Sequence, residues 1–197
     1  MAGLKAMRQW GQETVSARHH YNVIRVTELI HIAMIIPLII RPATPADLDD
    51  VWRMWKEVME QGDYFPYGPE YTRQQIESGW INPENIIGVA EADGHIAGAY
   101  IVRPNQPGHG AHVANAAYMV DTPFRNQGIG KQLCAHSLEA AKVAGYRAMQ
   151  FNLVVSTNTG AVKAWEALGF QRIGIIPEGF HQKGKGYVDA YIYHRFL

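Results

Sequence analysis

Apolar residues along the chain recur with two different spacings, which predict strands and helices in turn. Short runs rich in Ile, Val and Ala predict strands at about residues 36–41, 86–92, 96–102, 113–120, 148–155, 170–176 and 187–196. Stretches with apolar residues three or four positions apart predict helices at about 45–61, 70–80, 128–144 and 159–168. A turn at Asp93-Gly94 makes the second and third strands antiparallel neighbours. The pattern indicates one domain that mixes strands and helices.

Length and composition exclude several classes of protein. The 197 residues are 47% hydrophobic and 18% charged, which fits one α/β domain with a sizeable core. The 18 Lys and Arg balance the 18 Asp and Glu, so no general affinity for nucleic acid or for an anionic membrane is expected. The single cysteine, Cys134, cannot form an intrachain disulfide, and its helical apolar pattern predicts a buried thiol rather than a nucleophile. We expect a cytoplasmic protein.

Residues 1–33 precede the predicted domain, which we place at residues 34–197. The apolar run from Val23 to Leu38 is interrupted by charged residues and is too short to span a bilayer, and no signal-peptide cleavage pattern follows it. Because Met34 lies where the domain begins, the extension is either read-through from an upstream start or an amphipathic helix. Such a helix would dock on the domain or on the second subunit of a homodimer. We expect no catalytic role for it.

The stretch from Val120 to Lys131 carries the clearest chemical signal. An apolar strand runs into a turn with Gly128 and Gly130 that opens a helix, so the backbone can approach a ligand and the first N–H groups of the helix are available. The helix dipole, with Arg125 and Lys131 nearby, favours an anion such as pyrophosphate. The glycine spacing fits neither a Walker loop nor a dinucleotide fingerprint. The alternative is an ordinary strand-turn-helix connection with a glycine cap.

Three segments together resemble a known family. Arg125-Asn126-Gln127-Gly128-Ile129-Gly130 resembles the Arg/Gln-x-x-Gly-x-Gly/Ala acetyl-CoA motif of the GCN5-related N-acetyltransferases, the GNAT family. The segment from Asn158 to Phe170 is similar to the family's Asn-x-x-Ala-x-x-x-Tyr-x-x-x-Gly-Phe, and the segment from Ile39 to Asp47 looks like its opening strand and helix cap. The resemblance covers about residues 36–197. It implies an α/β (α+β) GNAT fold, in which a mixed, mostly antiparallel sheet splays between its fourth and fifth strands and about four helices flank it.

The resemblance also implies acetyl-CoA as cosubstrate, lying in the gap between the two splayed strands. Backbone groups of Met119 and Val120 are expected to contact the pantetheine arm. The other predicted cofactor contacts are Arg125, Asn126, Gln127, Gly128, Ile129, Gly130, Lys131, Asn158 and Trp165. The histidines show no metal-ligand spacing, so we predict no metal.

The chain departs from the family at the usual acid and base. Trp165 stands where many members carry a Tyr that protonates the departing thiolate, and the strand ending at Val120 lacks the usual Glu. Asn115 and Asn152, each inside an apolar strand, are therefore our candidate catalytic residues, Asn152 also as a substrate contact. The surrounding segments resemble the fungal subgroup that acetylates proline analogues such as azetidine-2-carboxylate, in which matching asparagines contact the substrate. A structural amide satisfied by the backbone is the alternative reading of either residue.

The loop after the first helix is expected to wall the acceptor site. Family members place a loop there over the acceptor, and here it carries Tyr64 and Phe65, which we assign to substrate binding. The favoured function is direct acetyl transfer to a small amine, with an amino or imino acid as one class. A protein N-terminus or lysine as acceptor, and a non-catalytic acyl-CoA-binding module, remain open. His112, His181 and Asp189 are candidate bases by residue type alone.

Overall fold

The computed structural model describes residues 38–197, which form seven strands and four α-helices. The strands are β1 (Ile39–Pro42), β2 (Ile86–Ala92), β3 (His95–Pro104), β4 (Val113–Val120), β5 (Ala148–Val155), β6 (Gln171–Gln182) and β7 (Gly186–Phe196). The helices are α1 (Leu48–Gln61), α2 (Arg73–Gly79), α3 (Ile129–Val143) and α4 (Thr159–Ala167). No helix in this described part is long and apolar enough to cross a membrane.

The strands form a single sheet in the order β1-β2-β3-β4-β5-β7-β6. All neighbours pair antiparallel except β4 and β5, which run parallel. The parallel pair is joined at only two positions, Val113 with Ala148 and Ala114 with Met149, after which the strands separate. This arrangement confirms the predicted fold class, including the splay between the fourth and fifth strands.

Each face of the sheet covers its own hydrophobic core. One core joins α3 and α4 to the sheet and includes Leu133, Phe151 and Tyr193. The other core joins α1 and α2 to the opposite face and includes Trp55 and Met119. Successive strand residues point to opposite faces, so the even-numbered Tyr118 and Val120 of β4 pack on the first core, while Ala117 and Met119 pack on the second.

Several element boundaries differ from the sequence-based expectation. Strand β6 continues to Gln182 rather than ending near residue 176, since register shifts opposite β7 carry its pairing through a polar stretch. Helix α2 covers only Arg73–Gly79, because Thr72 caps its start and its side chain accepts a hydrogen bond from the Gln75 amide. The proposed extension at residues 1–33 and the expected start of the first strand at residue 36 lie outside the described residues.

Candidate active site

The gap between β4 and β5 exposes one set of backbone groups of β4. The Val113 carbonyl accepts from Asn105 N–H at 2.8 Å, and the Asp121 N–H donates to the Ala97 carbonyl at 2.9 Å, so both ends of β4 are joined to the β3 side. The pairing of β3 with β4 runs without a register shift. Backbone N–H and C=O groups along an antiparallel strand alternate in direction from one residue to the next. In β4, the backbone groups of the odd-numbered residues therefore point to β3, and those of the even-numbered residues beyond Ala114 point to the gap.

This alternation distinguishes the two predicted backbone contacts on β4. Val120 turns its peptide groups toward the gap, whereas those of Met119 point to β3 and its side chain is buried against α1. Tyr118 takes the position next to Val120 along the gap. The structure thus leaves Val120 as a predicted contact through its backbone and offers Tyr118, rather than Met119, as the second.

The predicted phosphate turn has the geometry of an anion site. Asn126 and Gly128 both adopt positive φ angles, 63° and 77°, and Gly128 stands directly before the first residue of α3. Within residues 38–197, the backbone N–H groups from Gly128 to Lys131 donate to no protein acceptor. Ile129 is buried and anchors the helix, while Lys131 is exposed beside its first turn. The turn therefore presents a row of N–H donors at the positive end of a helix.

Arg125 lines the cavity described below, but its guanidinium is also bonded to protein partners. Its guanidinium donates to the Val120 carbonyl at 3.1 Å, and to Gln61 Oε1 and Glu57 Oε1 at 3.3 Å. These contacts tie the phosphate turn to α1 and partly neutralise the charge of Arg125. The Gln127 side chain donates to the Pro123 carbonyl at 3.3 Å, so it too stabilises the turn.

The second motif places Asn158 and Trp165 on α4. Asn158 is the N-cap, with its side-chain oxygen accepting from Ala161 N–H at 3.2 Å, so part of its role is structural. Trp165 is buried in an aromatic cluster, with ring centroids 5.0 Å from Tyr118 and 5.1 Å from Phe151. Both Asn158 and Trp165 line the cavity that opens from the gap between the strands.

That cavity has a volume of about 840 Å³ and continues from the phosphate turn through the gap to the side of the sheet covered by α1. Aromatic rings wall this second end, which we call the acceptor end. Phe65 and Trp80 pack on Trp55 with ring centroids at 4.9 and 5.3 Å, and Trp80 Nε1 donates to the Tyr67 hydroxyl at 2.8 Å. The predicted Tyr64 also lines the cavity and is 38% exposed.

The two candidate asparagines both line the cavity but differ in environment. Asn115 is half-buried and makes no side-chain hydrogen bond within residues 38–197, so its amide is open to the cavity. Asn152 is exposed, although its apolar strand suggested a buried amide, because it alternates with Phe151 of the first core and so projects from the opposite face, beside Gln150. Its Nδ2 donates to Asn105 Oδ1 at 2.6 Å, and its Oδ1 accepts from Gln150 Nε2 at 2.8 Å.

None of the three candidate bases is among the residues lining the cavity in the described part of the chain. His112 lies in the turn before β4, exposed, with Nδ1 3.1 Å from the His109 carbonyl oxygen. His181 is exposed beside the Tyr187 ring, and Asp189 accepts from the Glu178 N–H. Tyr118 does line the cavity, but burial holds the pKa of its hydroxyl well above the ordinary value, so it stays protonated near neutral pH.

Sequence reasoning missed several residues at the acceptor end, above all Trp80 and Arg103. The Arg103 guanidinium lies over the Trp80 ring, with Cζ 4.2 Å from the ring centroid. A charged residue at the end of an apolar strand could have been singled out from the sequence. That it lies at the cavity could not, because Trp80, the ring beneath its guanidinium, follows α2 and is distant along the chain. In residues 38–197 no group of three acidic, His or Cys side chains is arranged to hold a metal.

Comparison with known proteins points to one family. The chain matches the model of the Acetyltransferase (GNAT) family over residues 49–170. It is similar to N-acetyltransferase aca1 of Schizosaccharomyces pombe, at 33% identity over 68% of this chain and 73% of that protein. It is also similar to the structure of a GCN5-related N-acetyltransferase from Kribbella flavida, at 41% identity and a TM-score of 0.77, covering 81% of this chain and 98% of that one.

A more distant structure shares the fold. A GNAT superfamily phosphinothricin acetyltransferase from Sinorhizobium meliloti, in complex with acetyl-CoA, has a TM-score of 0.72 at 18% identity and covers 81% of this chain and 88% of that one.

Proposed function

The chain belongs to the acetyltransferase (GNAT) family, and on that premise we propose that it transfers the acetyl group of acetyl-CoA directly to the nitrogen of a small amine, with amino and imino acids as one class of acceptor. One observation carries the proposal. One continuous cavity contains three features: a row of backbone N–H groups without a protein acceptor at the phosphate turn, the edge of β4 that pairs with no strand, and the aromatic acceptor end. A phosphate-bearing thioester and a small amine can therefore meet in the gap.

The chemistry that this cavity supports is attack of a neutral amine on the thioester. Donors aimed at the carbonyl oxygen stabilise the tetrahedral oxyanion, and a single well-placed donor contributes about 2.7–4 kcal/mol. We assign this role to Asn115, whose amide has no competing protein partner in the described residues, together with a backbone N–H of β4 at the gap. Asn152, held by Asn105 and Gln150, positions the amine.

Proton transfer in this scheme needs no dedicated side-chain acid. A CoA thiol has roughly the acidity of a cysteine side chain, so it can leave as the thiolate near pH 8. The indole N–H of Trp165 is a hydrogen-bond donor, but it is too weak an acid to protonate the thiolate. The protonated nitrogen of the tetrahedral intermediate loses its proton as the amide forms, and the thiolate takes up a proton directly from it or through solvent.

The acceptor end supports a small substrate. Phe65, Tyr67 and Trp80 close around Trp55, and the loop that carries Phe65 is held in place by Gln182, which donates to Asp63 at 3.3 Å and is itself buried. The resemblance to acetyltransferases of proline analogues agrees with a ring-sized acceptor. Protein substrates and a non-catalytic acyl-CoA module are the competing outcomes.

A thiol-release assay tests the proposal. Acetyl-CoA is offered with a panel of amino acids, cyclic imino acids, simple amines and lysine-containing peptides, and CoA formation is measured against a no-acceptor blank. Turnover with small amines at least about tenfold above that with peptides supports the proposal. Peptide turnover alone, or acetyl-CoA binding without turnover of any acceptor, would contradict it.

The expected homodimer and cytoplasmic location remain predictions. Light scattering of the purified full chain tests the first, and imaging of the tagged protein in its source cell tests the second.

A further inference from the structure

Arg103 occupies a defined place at the acceptor end. It lies on β3 directly opposite Asn115 of β4, so both side chains project from the same face of the sheet. Its guanidinium rests on the Trp80 ring, and Nη1 donates to the Gly79 carbonyl at 2.9 Å. The carbonyl belongs to the last residue of α2, so the negative end of that helix holds the cation over the cavity.

This guanidinium lacks an acidic partner. Among residues 38–197 no carboxylate lies within 4.0 Å of it, and its Nε is buried without a hydrogen-bond acceptor. Trp55 Nε1 is the second buried side-chain donor without an acceptor in this part of the chain. Both residues line the cavity and both contact Trp80. Arg103 Nη2 also has no acceptor among the described residues, but unlike Nε it is not a buried atom, so it is the donor that a hydrogen-bond-accepting ligand in the cavity can reach.

The other charged residues that line the cavity either interact with protein groups or lie at the phosphate turn. Arg125 is paired with Glu57, and Lys131 stands at the phosphate turn. Asp63 accepts from Gln182 on the loop that closes the acceptor end. Within the described residues, Arg103 is thus the cavity cation that faces the acceptor end without a counter-charge.

We infer that Arg103 binds the carboxylate of the acceptor, which makes the substrate class an amino or imino acid rather than a plain amine. This inference rests on the proposed function and adds a specificity residue to it. A guanidinium presents donors in a planar fork that matches a carboxylate, and a partly desolvated pair of this kind is stronger than an exposed one. Because Arg103 and Asn115 are cross-strand partners, anchoring the carboxylate would hold the amine beside the thioester carbonyl.

The test compares acids with their matched amides. Azetidine-2-carboxylate and L-proline are assayed against azetidine-2-carboxamide and L-prolinamide with the wild type, Arg103→Met and Arg103→Lys. Met keeps an apolar stem over Trp80 but removes the charge, and Lys keeps the charge but loses the fork. The amides have less basic amines, so only the change in the acid-to-amide ratio between variants is read, in which that difference cancels.

We expect kcat/KM for the acids to fall about tenfold to a hundredfold more than for the amides in Arg103→Met, with a smaller drop in Arg103→Lys. Arg172→Met is the matched control, because Arg172 also stacks on an aromatic ring, with Cζ 4.6 Å from the Tyr191 centroid, but lies outside the cavity. Its acid-to-amide ratio should stay at the wild-type value. Melting temperatures identify any loss that reflects folding, and Arg103→Lys is read alone if Arg103→Met does not fold.

Equal losses for acids and amides in the folded Arg103 variants would overturn the inference. Wild-type turnover restricted to amines without a carboxylate would overturn it too, while leaving the proposed function intact. If no small amine is acetylated by the wild type, the proposed function and the inference fall together.

Discussion

Replacing Asn115 with Ala should separate a catalytic amide from a structural one. The Asn115 side chain makes no hydrogen bond within residues 38–197, so its removal orphans no described partner. The remaining effect on stability is the difference in strand preference between Asn and Ala, and strand preferences span only about 1 kcal/mol in all. We therefore expect the free energy of unfolding to change by less than about 1 kcal/mol.

The expected effect on catalysis is much larger. Loss of one preorganised donor to the oxyanion typically lowers the rate by about a hundredfold to a thousandfold. Because Asn115 is only half-buried, its donor is less desolvated, and the loss of rate can be as small as about tenfold. We expect kcat/KM to fall within this range of about tenfold to a thousandfold. Asn152→Ala should fall in the same range, since both side chains are assigned to one transition state.

The assay measures initial rates of CoA release and thermal unfolding on the same preparations. Asn82→Ala is the control, because Asn82 makes two local hydrogen bonds outside the cavity, to Ser78 and Glu84. Its turnover should remain normal. The double variant Asn115→Ala with Asn152→Ala should lose less than the product of the single losses. A well-folded Asn115→Ala enzyme with undiminished kcat/KM would refute the catalytic assignment.

Three further predictions concern the phosphate turn, Trp165 and the buried Cys134. Gly128 and Gly145 both have positive φ and open space where a side chain would be added. Gly128→Val and Gly145→Val should therefore each lower the free energy of unfolding by about 1–2 kcal/mol. Calorimetry should show weaker acetyl-CoA binding only for Gly128→Val, because only Gly128 lies at the phosphate turn. Equal affinities would remove the phosphate turn from the site. Trp165→Phe should keep at least about a tenth of wild-type kcat, because loss of a true general acid costs a hundredfold or more. A collapse of kcat at normal affinity and stability would show a role for the indole. Burial raises the pKa of the Cys134 thiol to about 12, so the native chain should not react with a disulfide reagent at pH 8, whereas denaturant should release one thiol per chain. Fast labelling of the native protein would contradict this burial.

Local signals in the sequence were enough to predict most of the fold. The spacing of apolar residues placed all seven strands and four helices of the described region, because each element must bury one stripe or face. The turn from Arg125 to Lys131 could be read directly, since a phosphate site made of backbone N–H groups needs only glycines at fixed positions before a helix. Cys134 was likewise predicted to be buried from its helical neighbours, and it is.

The sequence by itself thus determined the strands and helices, the glycine turn before α3 and, through motifs similar to those of a known family, the family fold and the choice of candidate asparagines. Only the tertiary structure decided what surrounds them. The Asn152 amide is held by Asn105, 47 positions away along the chain, and Arg125 pairs with Glu57, 68 positions away. Arg103 is placed at the acceptor end by its contact with Trp80, which follows α2. These contacts join residues far apart in sequence, and their geometry is fixed by how helices pack on the sheet rather than by any local pattern.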